Sequence, residues 1–209
     1  MLLRFFSGQA TLFDVLVWIV AIGVAITVHE FAHAFVALRC GDDTAKRMGR
    51  VSLNPLAHYD IIGTTMILIG GFGWGKPVPV NQARLKDPRW DDVKVSLAGP
   101  ASNLITVTAL MVVNRFVPIM WGPWVPLSQT IIQINLMLAF FNLIPIAPLD
   151  GSHVLAGLLP AKQSMAYGRV MAQYGFVILL LVVFMAPGLL NILVFVPANA
   201  FLHLLDLVL

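Results

Sequence analysis

Five consecutive residues, His29-Glu30-Phe31-Ala32-His33, have the types and spacing of a metal site with a base beside it. On a helix, residues four apart share a face, so the two imidazoles can bind one zinc ion. Glu30 falls about 100° around the helix from His29 and about 60° from His33. That places it near such a metal without requiring it as a ligand, as suits a general base acting on metal-activated water. Chance is a poor account of the pattern. From five histidines and one glutamate, the expected frequency is about one match in 2,000 such chains.

Two histidines leave a catalytic zinc short of a third protein ligand, with water in the fourth position. The candidates are His58, Asp60, Asp150, His153 and His203. Asp150 ends the run Asn142-Leu-Ile-Pro145-Ile-Ala-Pro148-Leu-Asp150-Gly151, whose prolines stop a regular helix and leave the carboxylate on irregular backbone. Its bland alternative is a helix cap before Gly151. His153 offers a substitute ligand or a supporting group, His58 reads as an interfacial histidine, and His203 as a tail residue. Asn103 and Asn142 are amides within apolar segments. They suit either contact with a substrate backbone or hydrogen bonds between helices.

The elements that must carry these residues are membrane spans. Of 209 residues, 59% are hydrophobic and 11% charged, with a mean hydropathy of +0.87. A soluble domain carries roughly 25% charge, so a soluble enzyme is excluded. No basic run interleaved with aromatics points to nucleic acid. The single Cys40 rules out an internal disulfide. A span needs about 20 apolar residues, and five segments qualify: about 12–38, 95–114, 127–146, 170–186 and 188–207, within one membrane-embedded domain, 1–209. The first is read as retained, not as a cleaved signal peptide. Trp121-Gly122-Pro123-Trp124 reads as an interfacial turn, and Pro197 as an irregularity in the last span. The fold class expected is an all-α multi-pass membrane protein. A short re-entrant or β-hairpin segment is expected at Ile61 to Gly75, which is apolar but too short and glycine-rich to span.

Basic residues orient the bundle. With the amino terminus outside, eleven of the thirteen lie in inner segments, leaving Arg4 and Arg115 outside. The positive-inside rule then puts residues 39–94 and 148–169 in the cytoplasm. His29 and His33 fall roughly 15 and 9 Å inside that boundary, in the same leaflet as Asp150. A carboxylate near a helix centre costs roughly 2.5–3.5 kcal/mol on insertion scales, and the span offers Glu30 no Lys or Arg partner before Arg39.

Taken together, four motifs resemble the site-2 protease family of intramembrane zinc metalloproteases. They are the H-E-x-x-H in a span, the Asn142-to-Gly151 run, Gly99-Pro100-x-x-Asn103, and the loop from Asn54-Pro55 to Gly63. The resemblance runs from about residue 20 to 155. It implies one Zn2+ per chain held by His29, His33 and Asp150, with Glu30 as catalytic base and Asn103 and Asn142 as substrate-contacting residues. It further implies cleavage within or near the membrane segment of a protein substrate, in the plasma membrane of a prokaryote, with the site toward the cytoplasm. A helical peptide bond must unwind before hydrolysis, and the stretch from Thr64 to Pro77 is expected to offer a strand edge that holds it extended. Departures from the family are a missing helix before the histidine-bearing one and no PDZ or CBS domain, as in a compact family core. The rival reading is a zinc transporter or metal-binding scaffold without proteolytic activity, which explains buried ligands but does not require Glu30.

Overall fold

The computed structural model describes residues 2–70, 73–117 and 124–209, with backbone alone at 2, 3, 68 and 70. After a short helix α1 (Leu2–Phe6), α2 (Leu12–Arg39) opens with a capping box. The Thr11 N–H donates to Asp14 Oδ2 at 2.8 Å and the Asp14 N–H to Thr11 Oγ1 at 3.2 Å. It closes on Gly41, whose φ of +110° lets the Asp42 N–H return to the Ala37 carbonyl at 2.9 Å. Between these ends, Val17, Ala21, Ala25, His29, His33 and Ala37 are buried at intervals of four, one seam along the helix. Three alanines in that seam, Ala21, Ala25 and Ala37, let other helices approach closely.

The seam packs on α5 (Pro88–Phe116) and α6 (Trp124–Asn142), which also pack on each other to form a three-helix core. The intervening chain holds α3 (Thr44–Arg47) and α4 (Ile61–Gly70), with short 3-10 turns at Pro55–Ala57 and Gln82–Arg84. After α6, α7 (Asp150–Leu158) packs against α5. Then α8 (Ala161–Met185), α9 (Pro187–Leu190) and α10 (Val196–Val208) complete the periphery. Phe184 and Val208 are each 73% exposed, the surface of a chain solvated by lipid. Among the described residues, five helices are long and apolar enough to cross a membrane: α2, α5, α6, α8, and the α9-to-α10 stretch Pro187–Val208.

Among the elements that differ from the sequence expectation, three bear on how the site is held. No strand occurs among the described residues, and Ile61–Gly70, within the segment expected as a re-entrant or β-hairpin element, is a ten-residue helix that leaves the hairpin form without support. Asp60 explains it: its carboxylate accepts the Gly63 N–H at 2.7 Å, and its carbonyl the Thr64 N–H at 2.9 Å, as at a helix start. The glycines serve close approach. A Cβ on Gly63 would lie 2.1 Å from the Trp74 carbonyl oxygen. Second, α5 begins at Pro88, not near 95, because Asp87 caps it with bonds from the Arg89 and Trp90 N–H groups, and proline suits the first helical position. Third, α6 ends at Asn142, short of 146. The irregularity before Pro197 is a π-helical turn, Asn191–Phe195, next to the residue that has no N–H to give. The Trp121-Gly122-Pro123 turn lies outside the described residues.

Candidate metal centre

His29 and His33 project from the buried seam of α2 at 5% and 8% exposure. Their Nε2 atoms are 3.0 Å apart. Asp150, the first residue of α7, brings Oδ2 to 3.1 Å from His29 Nε2 and 3.3 Å from His33 Nε2. Tetrahedral zinc with bonds of about 2.0–2.1 Å separates its donors by about 3.3–3.4 Å, so this triangle is nearly one face of such a site. Asp150 Oδ2 is buried and makes no hydrogen bond among the described residues, an orphaned acceptor that a cation would satisfy. The donor set therefore fits a metal ion, and two imidazoles with a carboxylate suit zinc.

The far side of each imidazole is committed. His33 Nδ1 is 2.7 Å from the Val95 carbonyl and His29 Nδ1 is 2.7 Å from Asn103 Oδ1. Asn103 is fully buried, and its Nδ2 donates to the Ala25 carbonyl at 3.0 Å and to Asn135 Oδ1 at 2.8 Å. With its N–H groups so used, its oxygen must face His29, which donates Nδ1–H. Both histidines thus carry the proton on Nδ1 and keep the Nε2 lone pair for a metal. Asn103, expected to contact substrate, instead has every polar group engaged behind His29.

Two contributors escaped the sequence reading. A Cβ on Gly99 would lie 2.3 Å from His33 Nε2 and 2.7 Å from His29 Nε2. Glycine there is what leaves room for both ring nitrogens. Its Gly-Pro context is the available signal, but that context also fits plain helix contact. Asn135, on α6, fixes the amide of Asn103 and donates its own Nδ2 to the Ile131 carbonyl at 2.8 Å.

The other candidates go elsewhere. His58 is 1% exposed, with Nε2 2.7 Å from the Ser52 carbonyl. Asp60 caps α4. His153 is exposed and pairs with Asp92 at 3.1 Å, a contact that raises its pKa above the usual histidine value. His203 lies exposed on α10. Asn142 is half-buried at the end of α6, its Nδ2 donating to the Leu138 carbonyl at 2.9 Å and its Oδ1 free of hydrogen bonds among the described residues. Glu30, half-buried, accepts the Val78 N–H on Oε2 at 3.0 Å, and its Oε1 has no hydrogen bond among the described residues.

The model of Peptidase family M50 matches residues 17–120 and 118–183, which include all three members of the triangle. The chain belongs to peptidase family M50. A Bacillus subtilis protein named "Putative zinc metalloprotease YwhC" is 42% identical over 181 residues, covering 81% of this chain and 80% of its own length. A Mycolicibacterium smegmatis protein named "Putative zinc metalloprotease Rip2" is 30% identical over 79% of this chain and 65% of its own. "Zinc metalloprotease MJ0392" of Methanocaldococcus jannaschii is 28% identical over 66% of this chain and 33% of its own length. No solved structure matches the chain. As a member of family M50, the protein is an integral membrane zinc metalloprotease.

Proposed function

We propose that this M50 protein hydrolyses a peptide bond in or near the membrane segment of a protein substrate, with His29, His33 and Asp150 holding one zinc ion and Glu30 as general base. One observation carries the reading: three donor atoms 3.0–3.3 Å apart, with a carboxylate next to them on a helix long enough to cross a bilayer. When bound, zinc supplies Lewis acidity that polarises the substrate carbonyl and acidifies a water near neutral pH. His29 and His33 present Nε2 because their Nδ1–H groups are bonded to Asn103 and Val95. Glu30 Oε1, the oxygen without a hydrogen bond among the described residues, takes the proton of the attacking water and returns it to the leaving amine. Asn142 Oδ1 is the remaining polar group for holding the substrate backbone. Asn103 orients His29 and does not touch substrate.

The positive-inside count supports a plasma membrane orientation with the site toward the cytoplasm, from which water enters. The named relatives support a prokaryotic setting. The deciding experiment is Glu30→Gln, assayed for zinc content and for cleavage of a single-span substrate. Retained zinc with lost cleavage is expected. Undiminished cleavage, or metal transport persisting without proteolysis, would sink the reading.

A further inference from the structure

Arg50 follows α3 and is 3% exposed, although arginine is almost never so buried unless paired. It forms no ion pair among the described residues. Among the described residues its one hydrogen bond runs from Nη2 to the Lys76 carbonyl oxygen, and Nε and Nη1 have no acceptor. Burial pushes its pKa below the usual arginine value, and the Glu30 carboxylate draws it back up. Two residues beyond Lys76, the Val78 N–H donates to Glu30 Oε2 at 3.0 Å. The Lys76 N–H donates to the His58 carbonyl at 2.9 Å, and His58 is itself tied to Ser52. The segment also lies close on α2, since a Cβ on Gly75 would come within 2.6 Å of Ile26 Cγ2. Residues 76–78 are therefore gripped at Lys76 by Arg50 and His58, and at Val78 they grip Glu30.

We infer that Arg50 is a positioning residue for Glu30: through the Lys76 carbonyl it fixes the segment whose Val78 N–H holds the carboxylate in place. The inference rests on the reading of Glu30 as the base. A flexible carboxylate one bond rotation away from its productive position loses much of its effect, and misplacement by about 1 Å costs on the order of 10²-fold in rate. A guanidinium whose only hydrogen bond among the described residues goes to this segment is committed to it.

The test uses the full chain in detergent, with Arg50→Met, Arg50→Lys, Val78→Pro and Glu30→Gln compared for zinc content, kcat and KM on a single-span substrate. Arg50→Met is expected to keep one zinc and a KM within about twofold, while kcat falls on the order of 10²-fold. Arg50→Lys, which keeps a charged donor, recovers part of the loss. Val78→Pro removes the N–H on Glu30 and gives the same kcat defect with zinc retained. The Arg50→Met/Val78→Pro double variant is no slower than the slower single one. A wild-type kcat in Arg50→Met or Val78→Pro overturns the inference, as does a kcat loss matched by zinc loss, or additive defects. If Arg50→Met does not fold, Val78→Pro decides alone. A fully active Glu30→Gln defeats the base assignment itself, whereas an inactive Glu30→Gln beside a fully active Arg50→Met defeats only the role of Arg50.

Discussion

Asn103 reaches from α5 across to α2 and accepts the Nδ1–H of His29 at 2.7 Å, from a position with no solvent exposure. Such a bond sets the tautomer of a metal-binding imidazole and its ring orientation. Asn103→Ala is expected to lower zinc affinity about 10–100-fold. The check is zinc retained per chain across a chelator series, with the wild type alongside.

Gly99→Ala separates helix propensity from site geometry. In an exposed helix interior the change would gain about 1 kcal/mol. Here the new methyl would sit 2.3 Å from His33 Nε2. Helical content measured by circular dichroism should stay at the wild-type level, while bound zinc falls well below one per chain.

Zinc removal should cost stability. Ligand that binds only the folded state at a hundred times its Kd contributes about 2.7 kcal/mol. Chelation is therefore expected to lower the thermal midpoint in detergent. Asp150→Asn should remove most of that chelator-dependent shift, and Glu30→Gln should leave it in place, which differential scanning fluorimetry can follow.

A further prediction concerns acid. Asp42 is fully buried where α2 ends. Burial alone pushes its carboxyl pKa up. The bonds it accepts from the Thr44 hydroxyl and N–H and from the Asn81 N–H outweigh that and hold it below the usual carboxylate value. A depressed folded-state pKa contributes stability that is present above the unfolded value of about 3.9, and that stability is lost as pH falls through the folded value. Asp42→Asn should lower the thermal midpoint at neutral pH, and its deficit relative to wild type should shrink as pH is lowered from 6 toward 3.

Much of the candidate site's geometry is legible in the sequence because helical periodicity puts His29 and His33 on one face, and because prolines mark where α6 must stop before Asp150. The five apolar helices are legible for the same kind of reason, since length and composition suffice. The supporting contacts are not. Whether Asn103 faces a substrate or His29 depends on the rotation of α5 against α2, which no local pattern fixes. Gly99 matters through a neighbour far away in sequence. The Ile61–Gly70 stretch is rich in β-branched residues and suits a strand locally, yet the Asp60 cap and packing against Trp74 favour a helix. The Asp87-Pro88 start of α5 carries a readable cap signal that hydropathy alone passes over.

The triangle draws two corners from α2 and the third from α7, and α5 and α6 lie between them in the chain. During synthesis, α2 enters the bilayer with its imidazoles lacking their carboxylate partner. Asp150 is made only after the two further spanning helices α5 and α6. On the proposed reading of the site, all three donors are therefore in place only after α7 has been made. A nascent chain that stops short of α7 carries the two histidines without the third donor.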